Sequence, residues 1–240
     1  MKKMTIAVLL MVISGFIFAQ SEDDFEVRQL ANGTVEITRY NGSERNITIP
    51  RKLFDIPVSG IGRSAFSYSH ESLPIDTLTI ESGIKTIERR AFYDKSLKYV
   101  YFPDTIEEIG DHAFANCDLQ ELKLPKSLKT LSANAFSESL ENCTSVSISV
   151  SSLTIFDIAF GSSSIKELFL EGVFPKDRRS IGKELFYFPN LEKIVIQANW
   201  PDRDLDIGFS QGFANFYKLQ GRKGGVYIKN GPLWTFAGTQ

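Results

Sequence analysis

A phenylalanine, usually preceded by alanine, returns along this chain at Ala65-Phe66, Ala91-Phe92, Ala113-Phe114, Ala135-Phe136 and Ala159-Phe160, then at Leu185-Phe186 and Phe213. Successive phenylalanines lie 26, 22, 22, 24, 26 and 27 residues apart. A period this short excludes helical arrays and points to stacked coils, none of which can bury its own apolar edge without neighbours.

Each phenylalanine has the same prelude. In "LQELKLPKSLKTLSANAF" Leu119, Leu122 and Leu124 precede Pro125, then come Leu128, Leu131 and Ala135-Phe136. In "LKYVYFPDTIEEIGDHAF" the same offsets hold Leu97, Val100, Phe102, Pro103, Ile106, Ile109 and Ala113-Phe114. The alternating start of each copy predicts a short strand with one buried face. Proline, which cannot donate to a ladder, ends it. The second aliphatic pair returns the chain to the core on the far side. Alanine lets neighbouring backbones approach, and phenylalanine fills the space between coils, where burial of the ring contributes roughly 1.5–3 kcal/mol.

His112 and Cys117, which lie on either side of Ala113-Phe114, look at first like reactive groups. Yet the position before Ala-Phe holds Ser64, Arg90, Asn134 and Ile158 in other coils, so His112 reads as variable filler. Cys117 reads as a small buried hydrophobe at a turn. Neither a Cys-x-x-Cys nor a His-x-x-x-His spacing argues for a metal. No catalytic residue, metal ligand or cofactor site is expected, and the sequence leaves open whether Cys117 and Cys143 are bonded.

The first 19 residues read as an export signal: Lys2 and Lys3 precede the apolar run "TIAVLLMVISGFIFA", which ends at Ala19 before the acidic "SEDD". Its apolar stretch is short for a membrane span, so no span is expected after its removal. The formal net charge of −2 becomes −4 once Lys2 and Lys3 are lost, which makes nucleic acid a poor partner because such binding needs a basic patch.

A stack of coils needs caps at both ends. Residues 20–43, with alternating segments around Asn32-Gly33, predict an N-terminal β cap over the first coil; residues 44–213 hold about seven repeats. Residues 214–240 predict a short helix from Ala214 to Leu219 ending near Gly221, then a hairpin turning at Asn230-Gly231, with Val226, Ile228, Leu233 and Trp234 available to seal the last coil. The later coils are irregular, with a basic insertion around Lys176, Arg178 and Arg179 and a loop at Trp200-Pro201.

The pattern L-x-x-L-x-[LF]-P-x-x-[IL]-x-x-[IL]-x-x-x-A-F, repeated in tandem over residues 44–213, resembles the BspA-type leucine-rich repeats of bacterial surface and secreted proteins, with a tail similar to that of spirochaete members. The resemblance implies a β-rich, α/β-type solenoid: a right-handed superhelix with a parallel sheet on its concave face. It also implies protein binding or adhesion as the use of that fold, and it supplies no catalytic residues.

Alternation then names the outward side chains of the strands. One column reads Thr48, Thr79, Tyr101, Lys123, Ser149, Phe169 and Val195; its neighbour reads Thr77, Tyr99, Glu121, Ser147, Glu167 and Lys193. Tyr99, Tyr101, Lys123 and Phe169 are the candidate partner-binding residues, because exposed aromatics are not required by the fold and are enriched at interaction hot spots. The expected partner is a protein of the host matrix or of a bacterial surface, met at the cell surface, in the periplasm or outside the cell. Two other readings compete: a structural envelope component, and an enzyme using Asp157, Asp177, Asp202, Asp204 and Asp206 in the irregular coils, with calcium binding by "DRDLD" at residues 202–206 as a related reading.

Overall fold

A computed structural model describes residues 20–67, 75–149, 154–155, 159–161, 164–172, 188, 190–196 and 211–239. The export signal, the basic insertion, the Trp200-Pro201 loop and the five aspartates of the irregular coils lie outside the described residues.

The chain winds into a β-rich solenoid held by two parallel ladders. An N-terminal hairpin, β1 (Phe25–Gln29) and β2 (Val35–Tyr40), leads into the coils. The front ladder, expected as the concave sheet, consists of β3 (Asn46–Ile49), β6 (Thr77–Ile80), β8 (Tyr99–Tyr101), β10 (Leu122–Lys123), β12 (Ser145–Ser149), β14 (Glu167–Glu171) and β15 (Lys193–Ile196). The back ladder consists of β5 (Ile56–Ile61), β7 (Thr86–Ile87), β9 (Glu108–Ile109), β11 (Thr130–Leu131) and β13 (Thr154–Ile155), with the small β4 (Lys52–Leu53) paired antiparallel to β5. Apart from β8 and β10, neighbours within each ladder pair in parallel, as expected of successive turns of one coil.

The register puts like on like. Ile47 faces Leu78 and Leu78 faces Val100; Leu122, Val146, Leu168 and Ile194 continue the row, all buried. Behind them Ile61, Ile87, Ile109 and Leu131 form the matching row of the back ladder. The front ladder is interrupted between β8 and β10, dividing it into a three-stranded and a six-stranded sheet. Two bonds, Asp118 N–H to the Leu97 carbonyl and Gln120 N–H to the Lys98 carbonyl, both at 3.0 Å, span that seam at the strand entry.

The Ala-Phe corners form a third line of contact. The N–H groups of Phe66, Phe92, Phe114 and Phe136 donate to the carbonyls of Ala91, Ala113, Ala135 and Ala159 at 2.8–2.9 Å. Their rings stack with centroids 4.6, 5.1, 5.3 and 6.1 Å apart from Phe66 through Phe160. Tyr40 and Phe25 extend the stack at one end, and Phe188 meets Phe160 edge-on at the other. Leu185-Phe186 lies outside the described residues.

The corner also corrects the reading of His112 as filler. Ser64, Arg90, His112 and Asn134 all adopt φ of 55–57°, the left-handed region that L-residues seldom enter. The slot tolerates many side chains but demands one backbone shape.

The caps attach to different ladders. Strand β2 pairs in parallel with β5, so the N-terminal hairpin extends the back ladder. At the other end β16 (Gly225–Asn230) pairs antiparallel with β15, and β17 (Leu233–Gly238) with β16, so the C-terminal hairpin extends the front. Its two-residue loop is Gly231-Pro232, one residue later than expected, because Gly231 supplies the positive φ of 62° at the first central position. The Asn32-Gly33 connection, by contrast, is wider than a tight turn: residues 30–34 join β1 to β2, closed by Leu30 N–H to the Thr34 carbonyl at 2.8 Å. Helix α1, Gln211–Leu219, begins three residues earlier than expected and ends in a Schellman motif: Arg222 N–H reaches the Tyr217 carbonyl and Gly221 N–H that of Lys218.

In the C-terminal seal Trp234 is buried as expected, but Tyr227 takes the place of the aliphatics expected beside it. Tyr227 and Trp234 turn inward onto Phe213 and Tyr217, while Val226 is only half-buried and Ile228 and Leu233 are exposed. The strand "GVYIKN" offers either face to the core, and the aromatic face buries more surface.

Candidate binding face

The pleat of the front strands decides what faces solvent. On β8 Val100 points inward, so Tyr99 and Tyr101 point outward, 38% and 50% exposed. Tyr99 stands opposite Thr77 and Tyr101 opposite Thr79, so two threonines and two tyrosines make one uncharged patch at the seam-side edge of the three-stranded sheet.

Lys123 is outward on β10, the first strand beyond the seam, and among the described residues it has no ion-pair partner. It pairs with Ser147, and Ser147 pairs with Phe169. The outward column therefore runs Thr48, Thr79, Tyr101, Lys123, Ser147, Phe169 and Val195. Ser149, expected in this column, instead faces Glu171; Ser147, expected in the neighbouring column, takes its place, and Ser145 opposite Glu167 takes the place of Ser147. The slip of two residues has a single cause. The position three residues before the first buried strand residue is Leu97, Leu119, Ile165 or Leu191 in other coils, but here it is Cys143, fully buried and acting as the aliphatic.

The structure thus brings Tyr99 and Tyr101 together and sets Lys123 next to them. Phe169 lies three strand steps from Tyr101, roughly 14–15 Å at the usual strand spacing, and belongs to a second patch. There Lys193 Nζ lies 5.2 Å above the Phe169 ring and 3.1 Å from Glu167 Oε2, so the cation is shared between a carboxylate and a ring face. Val195 beside Phe169 is followed by Val226, and Lys193 by Ile228, because the C-terminal hairpin continues the sheet. Val226 and Ile228 were missed as surface residues because their hydrophobicity suggested a sealing role.

Charges line the entry edge of the front strands. Asp76 lies between Arg45 Nε at 2.6 Å and Lys98 Nζ at 3.1 Å, contributed by the coils on either side. Hydrogen bonds from these two cations hold its carboxyl well down, at about 2. Lys166 and Glu192 repeat the pairing at 3.1 Å near the other end.

The reactive-looking groups are structural. Cys117 occupies a slot that holds Lys95 and Ser139 in adjacent coils; its Sγ lies 3.4 Å from the Phe92 carbonyl, and burial pushes its thiol up to about 12. Ser139 Oγ likewise donates to the Phe114 carbonyl and accepts from Cys117 N–H at 3.1 Å. Cys143 is, like Cys117, free of a disulfide and buried; its Sγ donates to the Ser145 carbonyl at 3.0 Å, and its thiol is raised chiefly by desolvation. His112 Nδ1 lies 2.9 Å from its neighbour Asp111. Among the described residues, no group of three His, Cys, Asp or Glu could hold a metal ion, and no helix is long and apolar enough to cross a membrane.

One solved structure shares this architecture, and others align less closely. A leucine-rich repeat protein of Treponema pallidum matches with a TM-score of 0.57 at 22% identity, over 63% of this chain and 71% of that one. A leucine-rich cell surface protein of Faecalibacterium prausnitzii aligns at 20% identity over 73% of this chain with a TM-score of 0.46, and this chain spans 54% of its length. The pneumococcal vaccine antigen PcpA aligns at 22% identity, over 71% of this chain and 46% of that one, with a TM-score of 0.45. No curated protein matches. The model of the BspA type leucine rich repeat region matches residues 36–142 and 85–202 in 6 copies, and leucine-rich repeats typically mediate protein binding. The stacked coils, the paired ladders and this match over most of the length agree: the chain belongs to the BspA-type leucine-rich repeat family.

Proposed function

We propose that this chain is an exported, non-enzymatic binding protein that captures a protein of the host matrix or of a bacterial surface on its front face. The exposure of Tyr99 and Tyr101 carries the reading, because the buried work of β8 is done by Val100 and the fold needs neither ring outside. Rigid aromatic side chains on a preformed sheet lose little entropy on binding and are common anchors of protein interfaces. Lys123 beside them and Phe169 beyond supply a charge and a second apolar contact.

The test is capture from cell-envelope and host-matrix fractions by the purified chain and by a Tyr99→Ser, Tyr101→Ser, Phe169→Ser triple variant. Capture lost at an unchanged Tm supports this face. Undiminished capture by the variant rejects it.

A further inference from the structure

Among the described residues, three outer strands of the ladders, β3, β1 and β17, are treated differently. At the outer edge of β3, Thr48 N–H is already engaged by Gln20 Oε1 at 2.9 Å. The outer strand of the back ladder, β1, carries Glu26 and Arg28, charges of the kind that discourage a further strand from adding. Strand β17 has neither protection. From Leu233 to Gly238 it holds no charged residue, and among the described residues nothing bonds to its outer edge. Its one irregularity, the extra residue Ala237, leaves Leu233–Phe236 in regular register with β16.

The register says which main-chain groups are free. Antiparallel pairs alternate between bonded and non-bonded, and the two-residue loop makes Asn230 and Leu233 a bonded pair. Leu233 and Thr235 therefore turn their N–H and C=O groups toward β16, while Trp234 and Phe236 turn theirs outward.

We propose that β17 is a self-pairing edge, at which a second copy of this chain adds antiparallel across a two-fold axis. Trp234 and Phe236 then exchange hydrogen bonds with Phe236 and Trp234 of the second copy, four bonds in all by this alternation. Thr235 faces its own counterpart on the axis as a non-bonded pair. Leu233, 68% exposed, comes to lie against Ala237 of the second copy. A second copy fits where a charged strand would not, because the edge is uncharged and its alternation is its own complement. The two front faces join into one continuous sheet, so a partner with repeated epitopes meets two sites at once and gains avidity without new contacts. The inference does not depend on which side chains of the front face bind.

Light scattering over a concentration series tests it. The purified chain is expected to approach twice the mass of one chain as concentration rises. Thr235→Lys, which sets like charges opposite one another on the axis, is expected to restore the single-chain mass with an unchanged monomer Tm. Thr235→Cys is expected to cross-link to its counterpart under mild oxidation, since Cα atoms of a non-bonded pair lie about 4.5 Å apart, within disulfide range. Leu233→Cys is not, because its counterpart is displaced four residues along the strand, roughly 13 Å. A single-chain mass at every concentration overturns the proposal. So does a dimer that survives Thr235→Lys, or cross-linking as ready at 233 as at 235.

Discussion

Phe114 donates its main-chain N–H to the Ala135 carbonyl at 2.8 Å, and at the same corner its ring stacks on Phe136 with centroids 5.3 Å apart and planes 4° from parallel. One residue thus couples adjacent coils through both backbone and side chain. The Ala113 carbonyl beside it accepts from the Phe92 N–H of the previous coil, also at 2.8 Å.

Phe114→Ala removes a fully buried ring from the middle of the stack and is expected to cost about 3–5 kcal/mol. Denaturant unfolding should show the loss directly. Phe114→Leu, which keeps most of the volume, should lose less.

Ser139→Ala leaves the Phe114 carbonyl and the Cys117 N–H without their shared hydroxyl inside the core. Stranding buried polar groups costs about 1–3 kcal/mol, and the same unfolding measurement checks it. Ser139→Cys, which mimics the neighbouring coil's Cys117, should retain part of the stability.

Asn134 has φ of 55° at the residue before Ala-Phe. Asn134→Val, β-branched and unsuited to that region, is expected to destabilise by about 1–2 kcal/mol, while Asn134→Gly should be tolerated. Equal loss for both would show that the side chain, not the backbone shape, matters there.

Asp76 has a folded pKa of about 2, below its ordinary value of 3.8, because Arg45 and Lys98 bond to the charged carboxylate. A depressed carboxyl stabilises the fold at pH above its unfolded value and loses that contribution as pH falls through the folded one. The Tm of the native chain should therefore fall between about pH 4 and pH 2 more steeply than that of Asp76→Asn. Added salt should narrow the difference, since Arg45 and Lys98 are exposed.

The spine and the ladders were legible in the sequence because they depend on residues that repeat: a ring every coil, a proline after the strand, aliphatics at fixed offsets. Tyr99, Tyr101, Lys123 and Phe169 were placed outward from the same alternation, and they lie outward. What was not legible depends on single exceptions. Cys143 stands where other coils carry leucine or isoleucine and concealed a shift of two residues, which put Ser149 where Ser147 belongs. The strand Val226-Tyr227-Ile228 alternates equally well either way, and only the aromatic cluster of Phe213, Tyr217 and Trp234 settles which side is buried. Backbone conformation is not written in side-chain type, so the left-handed residue at His112 looked like an unconstrained site.

The 22-residue interval from Phe92 to Phe114 is the same as that from Phe114 to Phe136, and the corner bonds match. A duplication or deletion of one such unit joins an Ala-Phe corner to another that already accepts it. Such a change lengthens or shortens the exposed strand surface by one rung, about 4.8 Å, while both ends stay sealed. The reach of the molecule can therefore change over generations by whole units, without any residue of the caps having to alter.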